Sequence, residues 1–236
     1  MKAYIINLPT RPDRWKSLTP QLAQLDYLEF IRVEAISSVG RDFTESNFVT
    51  PGVAATWASH QKAFRLFLDT TDSHAVIFED DFEIHQASPK MIKKSLYIAD
   101  FDFIQLGYLT LSPRKRLEIF ASNYFDYLLR TVNRILEIRM CPPFSLKNKV
   151  LLRERVDVPR SLVMNDIREG GHAYLVSRNF AEAMLQANSP AFLSTDGLFM
   201  AISWMRSFKM ARQRKSLFRQ SNSPTSVKER VLRKAV

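Results

Sequence analysis

Apolar positions along this chain fall in two alternating rhythms. Residues 3–8 (AYIINL) are apolar and β-branched, the pattern of a buried strand, and Pro9 and Pro12 close it. Asp13 then opens a helix with Trp15, Leu18, Leu22 and Leu25 on one face. Residues 28–35 alternate as a second strand. Val53, Trp57, His60, Phe64 and Leu68 stand at spacings of three and four, which predicts a helix over 53–68. Residues 75–78 (AVIF) form a short buried strand that runs directly into Glu79, Asp80 and Asp81. A helix over 89–99 and a strand over 102–108 follow. Later come a strand over 172–177, a helix over 178–186 with Ser177 as its N-cap, and a helix over 196–208. Strands alternating with helices define an α/β sandwich with a mainly parallel central sheet.

The middle of the chain has another character. From Leu117 to Leu136 the apolar residues follow a helical stripe studded with Arg130 and Arg134, and Pro142-Pro143 stops it. Residues 145–161 are basic and poorly periodic, as a loop would be. From Arg212 onward the chain is polar and basic and reads as a mobile tail. The organisation expected is one domain over 1–204, with a helical and loop insertion at 112–167, and a basic C-terminal segment at 205–236.

Composition adds limits. The 236 residues suffice for one well-filled domain, and 46% hydrophobic with 25% charged residues describes a globular chain. No apolar run reaches the ~20 residues of a membrane span, and the N-terminus has no signal-peptide pattern. The single cysteine, Cys141, forms no internal disulfide or thiolate metal cluster, so a cytoplasmic setting is expected. The net charge of +10 is unevenly spread: 112–161 carries +6 and 205–236 carries +9, while the rest is mildly acidic. Such segments suit an anionic partner, either glycolipid at the inner membrane surface or nucleic acid, although charge runs also serve merely as solvated faces.

The strongest chemical signal is the acidic triplet. Ligands bind at the carboxyl ends of strands in open α/β sheets. Three adjacent carboxylates repel one another unless a cation or a set of donors neutralises them. Hard oxygen ligands suit Mg²⁺ or Mn²⁺, which in turn bridge a diphosphate. An isolated acidic tripeptide is also a common turn, and the wider pattern decides between the two.

Tyr4-Ile-Ile-Asn-Leu8 with Arg11, Asp13 and Arg14 begins that pattern. Val33-Glu-Ala-Ile36, the segment Thr50 to His60 ending in Ala-Ser-His, and Val76-Ile-Phe-Glu-Asp-Asp81 continue it. Asp102 with Leu106-Gly107, Gly171-His-Ala-Tyr-Leu-Val-Ser177 and Thr195-Asp196 complete it. In order and spacing these pieces resemble glycosyltransferase family 25, which includes lipooligosaccharide and collagen galactosyltransferases. The resemblance covers 1–111 and 168–200. It departs at Val53 and Ala55-Thr56, where family members carry Glu and Gly-Cys.

The resemblance implies a GT-A type nucleotide-sugar-binding sandwich, a divalent metal (Mn²⁺ or Mg²⁺), a nucleoside-diphosphate sugar donor such as a UDP-sugar, and inversion at the anomeric carbon. It makes Asp81 the chief metal ligand, with Asp80 beside it. Asn7 and Leu8 would lie by the base, and Arg11 or Arg14 would face phosphate or base. His60, Gly171 and His172 join the donor site. Asp196 is the first candidate for the general base, with Glu79 and Asp102 in reserve; an Asp at position 196 also suits a helix N-cap. The acceptor side falls to the insertion. The activity expected is transfer of a hexose, galactose or glucose, to a hydroxyl of a cell-surface glycolipid or polysaccharide. The alternatives are a phage-type enzyme glycosylating a hydroxylated base in DNA, reading phosphates with its basic segments, and a non-catalytic binding protein that keeps the fold.

Overall fold

The computed structural model describes residues 1–39, 49–85, 89–96, 100–109, 158–188, 191, 193–205 and 208–221, the side chain of Trp204 excepted. The expected stripe from Leu117 to Leu136, the Pro142-Pro143 stop, the loop up to Asp157, Cys141 and the chain after Ser221 all lie outside the described residues.

The chain begins with β1 (Lys2–Asn7), α1 (Pro12–Leu22) with a 3-10 turn at Ala23–Leu25, and β2 (Glu29–Glu34). Next come α2 (Pro51–Leu68), β3 (His74–Glu79), β4 (Phe82–Ile84), α3 (Pro89–Leu96) and β5 (Phe103–Gly107). After the insertion follow β6 (Leu162–Met164), β7 (Ala173–Ser177), α4 (Arg178–Gln186), α5 (Thr195–Met205), β8 (Met210–Gln213) and β9 (Phe218–Gln220). Pro12 and Pro51 open α1 and α2, where an absent N–H breaks no helical bond. Ser177 caps α4 as expected, accepting from the Phe180 N–H.

The nine strands of the described residues form one sheet, with the path β2-β1-β3-β7-β5-β8-β6 and β9 bridging β5 to β4. β1 pairs in parallel with β2 and β3, and β5 with β8 and β9. β7 runs antiparallel between β3 and β5. The centre of the sheet is therefore mainly parallel with one reversed strand inserted, a mixed sandwich consistent with the GT-A-like fold that the resemblance implies.

Strand alternation divides the core into two layers. Tyr4, Ile6, Ala75, Ile77, Tyr174 and Val176 face α2, α4 and α5, meeting Trp57, Phe64, Phe180 and Phe199. Ala3, Ile5, Val76, Phe78, Ala173 and Leu175 face α1 and α3, meeting Leu18, Ile92 and Leu96. The same parity carries to the strand ends. Asn7 continues the side of Ala3 and Ile5 toward α1, and Glu79 continues the side of Ala75 and Ile77 toward α2.

The C-terminal region departs from expectation. Residues 210–213 and 218–220 are not tail but strand. Met210, Ala211 and Phe218 are fully buried. The Phe218 ring packs 5.1 Å from Phe78, and Phe78 stacks 4.5 Å from Phe82. Burial of these aromatics gives a polar-looking segment its place in the sheet. The segment from 208 to 221 thus belongs to the core, and it shapes the site below. Helix α5 ends at Met205, short of the residue 208 expected.

Candidate active site

The carboxyl ends of β1, β3 and β5 and the entry into antiparallel β7 meet at one edge of the sheet, since Phe78 and Gly107 both pair with Ala173. Three groups of residues gather there.

The first group lies on the α1 side. Asp80 is buried, 6% exposed, and both its oxygens are engaged. Arg14 donates to Oδ1 at 2.6 Å and the Asn7 amide donates to Oδ2 at 2.7 Å. Arg32 donates to the Asn7 side-chain carbonyl at 3.0 Å, and its guanidinium lies 4.9 Å from the centre of the Trp15 ring. Arg11 pairs with Asp13, which this contact pulls down to a pKa of about 2. Leu8 is half-buried at the end of β1, its carbonyl accepting from the Arg11 N–H.

Asp81 is the second feature. It is 5% exposed, and its Oδ2 accepts from Gln220 on β9 at 2.9 Å. Arg14 is 3.8 Å away and already committed to Asp80. Asp81 Oδ1 is buried with no hydrogen-bond partner among the described residues. Burial foremost, then the charge of Glu79, pushes its pKa up to about 7; Gln220 and Arg14 hold it back in part. A carboxylate so placed carries negative charge that the described residues compensate only in part. Beside it opens a cleft of about 450 Å³, bounded by Ser17 and Gln21 of α1, Gln24 of the 3-10 turn, the acidic pair and Ser221.

The third group lies on the α2 side. Glu79 meets His60, whose Nε2 lies 3.2 Å from Oε1, and the His60 Nδ1 lies 2.6 Å from the Tyr174 hydroxyl. Burial would raise the Glu79 pKa, but the His60 hydrogen bond, with His60, His172 and Arg14 nearby, holds it below its ordinary value. Gly170 takes φ +101°, a conformation that suits glycine, and its N–H donates to Asp196 Oδ2 at 2.9 Å. A Cβ on Gly171 would stand 2.7 Å from Asp196 Oδ1, so glycine there lets the carboxylate lie against the backbone. Burial first, and Glu79 second, raises Asp196 to about 6. The N-cap duty in α5 belongs to Ser194, whose Oγ accepts from the Gly197 N–H, and the Asp196 side chain is left for the site.

His172 is buried and packs on Gly107, where a Cβ would be 2.5 Å from its Nε2. Its Nε2–H donates to the Phe218 carbonyl at 3.3 Å. Burial lowers its pKa, so the ring is neutral and Nδ1 is an acceptor with no partner among the described residues. The loop that carries these residues is tied down by Gln105, whose amide donates to the carbonyls of Arg168 and Gly170.

Of the residues singled out in the sequence, Asn7, Arg14, His60, Glu79, Asp80, Asp81, Gly171, His172 and Asp196 converge on this edge. Asp102 does not. It precedes β5 and so lies at the amino end of the parallel strands, where it accepts from Ser177 and the Lys209 N–H and borders a separate pocket of about 540 Å³ with His74 and Arg178. Arg32, Tyr174 and Gln220 are new to the site. Their contacts are not readable from local sequence, because their partners stand 25, 114 and 139 residues away.

The donor set can be tested against the divalent cation that the resemblance implies. No group of three or more His, Cys, Asp or Glu that could hold a metal occurs among the described residues. Asp80 is engaged by Arg14 and Asn7. Asp81 fits, offering a buried, hard oxygen with no partner among the described residues. Mg²⁺-like ions commonly bind through one or two carboxylates, keeping waters and substrate phosphates for the rest. Among the described residues the site fits a cation that arrives with a diphosphate, not one caged by these side chains alone.

The carboxylates gathered at the carboxyl ends of the strands stand where ligands bind in open α/β sheets. Residues 1–199 match glycosyltransferase family 25 (LPS biosynthesis protein), and the chain belongs to that family. It is thus a transferase with a glycosyl-transfer role in lipopolysaccharide biosynthesis, using a nucleotide-sugar donor. No curated protein matches the chain. Among the described residues, no helix is long and apolar enough to cross a membrane.

Proposed function

We propose that this chain is a metal-dependent, inverting hexosyltransferase of GT-A type. It moves galactose or glucose from a UDP-sugar to a hydroxyl of a phosphate-bearing glycolipid at the inner membrane surface. The observation that carries the reading is Asp81, a buried carboxylate with one oxygen unpartnered among the described residues and its ionisation opposed by its surroundings. A protein retains such a group where a cation completes it.

Mn²⁺ or Mg²⁺ on Asp81 would neutralise charge on the departing diphosphate. Asn7, Arg14 and Asp80 form the rigid wall of the nucleotide side, cross-linked as described. Glu79, held ionised by His60, accepts hydrogen bonds from sugar hydroxyls, and the Nδ1 of His172 accepts another.

Asp196 is the general base. Its Oδ2 is fixed by the Gly170 N–H, which leaves Oδ1 to take the proton, and a pKa of about 6 suits a base at neutral pH. The acceptor oxygen bonds to the anomeric carbon, the bond from that carbon to the diphosphate breaks, and the hydroxyl proton passes to Asp196. The nucleoside diphosphate leaves. The basic segments 112–161 and 205–236 supply positive charge for an anionic acceptor surface.

The test is turnover of UDP-galactose and UDP-glucose with a lipopolysaccharide core acceptor, comparing wild type with Asp196→Asn and reading the anomeric configuration of the product. Inverted product from wild type, with at least about 10²-fold slower transfer in the variant, supports the reading. Retained configuration, or an unimpaired variant, contradicts it.

A further inference from the structure

Tyr174 places one hydroxyl inside an aromatic cluster. Its ring is fully buried, stacks 5.3 Å from Phe103 and 5.8 Å from His60, and meets Phe199 edge-on at 5.1 Å. A phenol in such surroundings needs a partner. The partner is His60 Nδ1 at 2.6 Å, and the opposite ring nitrogen reaches Glu79 at 3.2 Å.

The direction of this chain follows from its ends. The contact at 3.2 Å suits an Nε2–H of His60 donating to the Glu79 carboxyl oxygen. With a single ring proton, on Nε2, Nδ1 accepts from the Tyr174 hydroxyl. His60 is itself fully buried, while the Glu79 side chain remains 27% exposed. The relay therefore fixes the carboxylate from behind without covering it.

We propose that Tyr174 and His60 are positioning residues, a buried relay that sets the orientation of Glu79 for its contact with a sugar hydroxyl. The proposal rests on the transferase reading above. It assigns Tyr174 a part in the reaction that its place in a core strand does not announce. A ring free to turn about its side-chain bonds would let the Glu79 carboxylate wander, and small misplacements at a reacting site slow the reaction steeply.

Two measurements on the full-length chain test it. The first is nitrogen NMR of histidine-labelled protein, with the His60 signals assigned by their loss in His60→Gln. The expected result is an Nε2-protonated ring whose Nδ1 signal shifts in Tyr174→Phe, as its hydrogen bond is lost. A ring protonated on Nδ1 and not on Nε2 overturns the relay.

The second is a double-mutant cycle in kcat. Tyr174→Phe is expected to lower kcat by about 10- to 10²-fold with little change in KM for the donor, and to have no further effect in a Glu79→Gln background. Multiplicative effects, or an effect confined to KM, overturn the positioning role. Should Tyr174→Phe not fold, His60→Gln against His60→Leu replaces it: the glutamine amide can still donate to Glu79, so it is expected to keep more activity than leucine, and equal losses overturn the role. A wild type inactive with every donor sugar would refute the transferase reading, while the NMR result would still decide the relay.

Discussion

Arg14 directs its charge to Asp80, at 2.6 Å, and leaves Asp81 without a full counter-charge. The two neighbouring carboxylates therefore play different parts. Asp80 is a structural anion that ties α1 to the end of β3, and Asp81 is an anion in waiting.

This difference has a sign in pH. The Asp81 pKa is raised from 3.8 to about 7 in the folded protein, so its neutral form is favoured there. Without divalent cations, its contribution to stability is full below about pH 4 and is lost as pH rises through 7. Asp81→Asn removes the loss. Chemical denaturation at pH 8 should find the variant more stable by about 2 to 4 kcal/mol, with little difference at pH 4.

Arg14 should show the opposite behaviour. Arg14→Gln strands two buried carboxylates and is expected to destabilise by about 3 to 5 kcal/mol. Adding Asp80→Asn should recover part of that loss, because the pair is removed together. Denaturant midpoints of the two single variants and the double variant check this. Additive losses would show that the pair is not coupled.

Gly171 leaves no room for a side chain. Alanine there would bring Cβ to 2.7 Å from Asp196 Oδ1. Gly171→Ala should displace the carboxylate and slow transfer by about 10- to 10²-fold, with a stability loss of about 1 to 3 kcal/mol. Steady-state kinetics beside thermal melts separates the two effects.

Asp196 predicts the acid limb of the rate profile. With its pKa raised to about 6, kcat/KM should fall about tenfold per pH unit below pH 6, as the base is protonated. The folded state also favours the protonated form, so the group's contribution to stability is greatest below about pH 4 and is lost as pH rises through 6.

Much of this architecture is legible in the sequence. The strand AVIF and its acidic triplet, the α2 stripe with His60, and the Ser177 cap are local patterns, and each folds as its pattern directs. The short strands β4, β6, β8 and β9 are not legible, because three or four residues carry too little periodicity and β8 buries Arg212 and Gln213, which read as surface. Asp102 shows what topology adds: a residue before a parallel strand lies at the amino end, away from ligands. Tyr174 reads as core, and only the fold brings its hydroxyl to His60.

The central claim is that Asp81 completes a cation and diphosphate site. Thermal melts of wild type and Asp81→Ala with UDP, in the presence and absence of Mn²⁺, test it most directly. The account predicts that UDP raises Tm only with Mn²⁺, by the equivalent of about 2.7 kcal/mol at a hundredfold excess over Kd, and that the variant loses the effect. Stabilisation by UDP that needs neither Mn²⁺ nor Asp81 would contradict it.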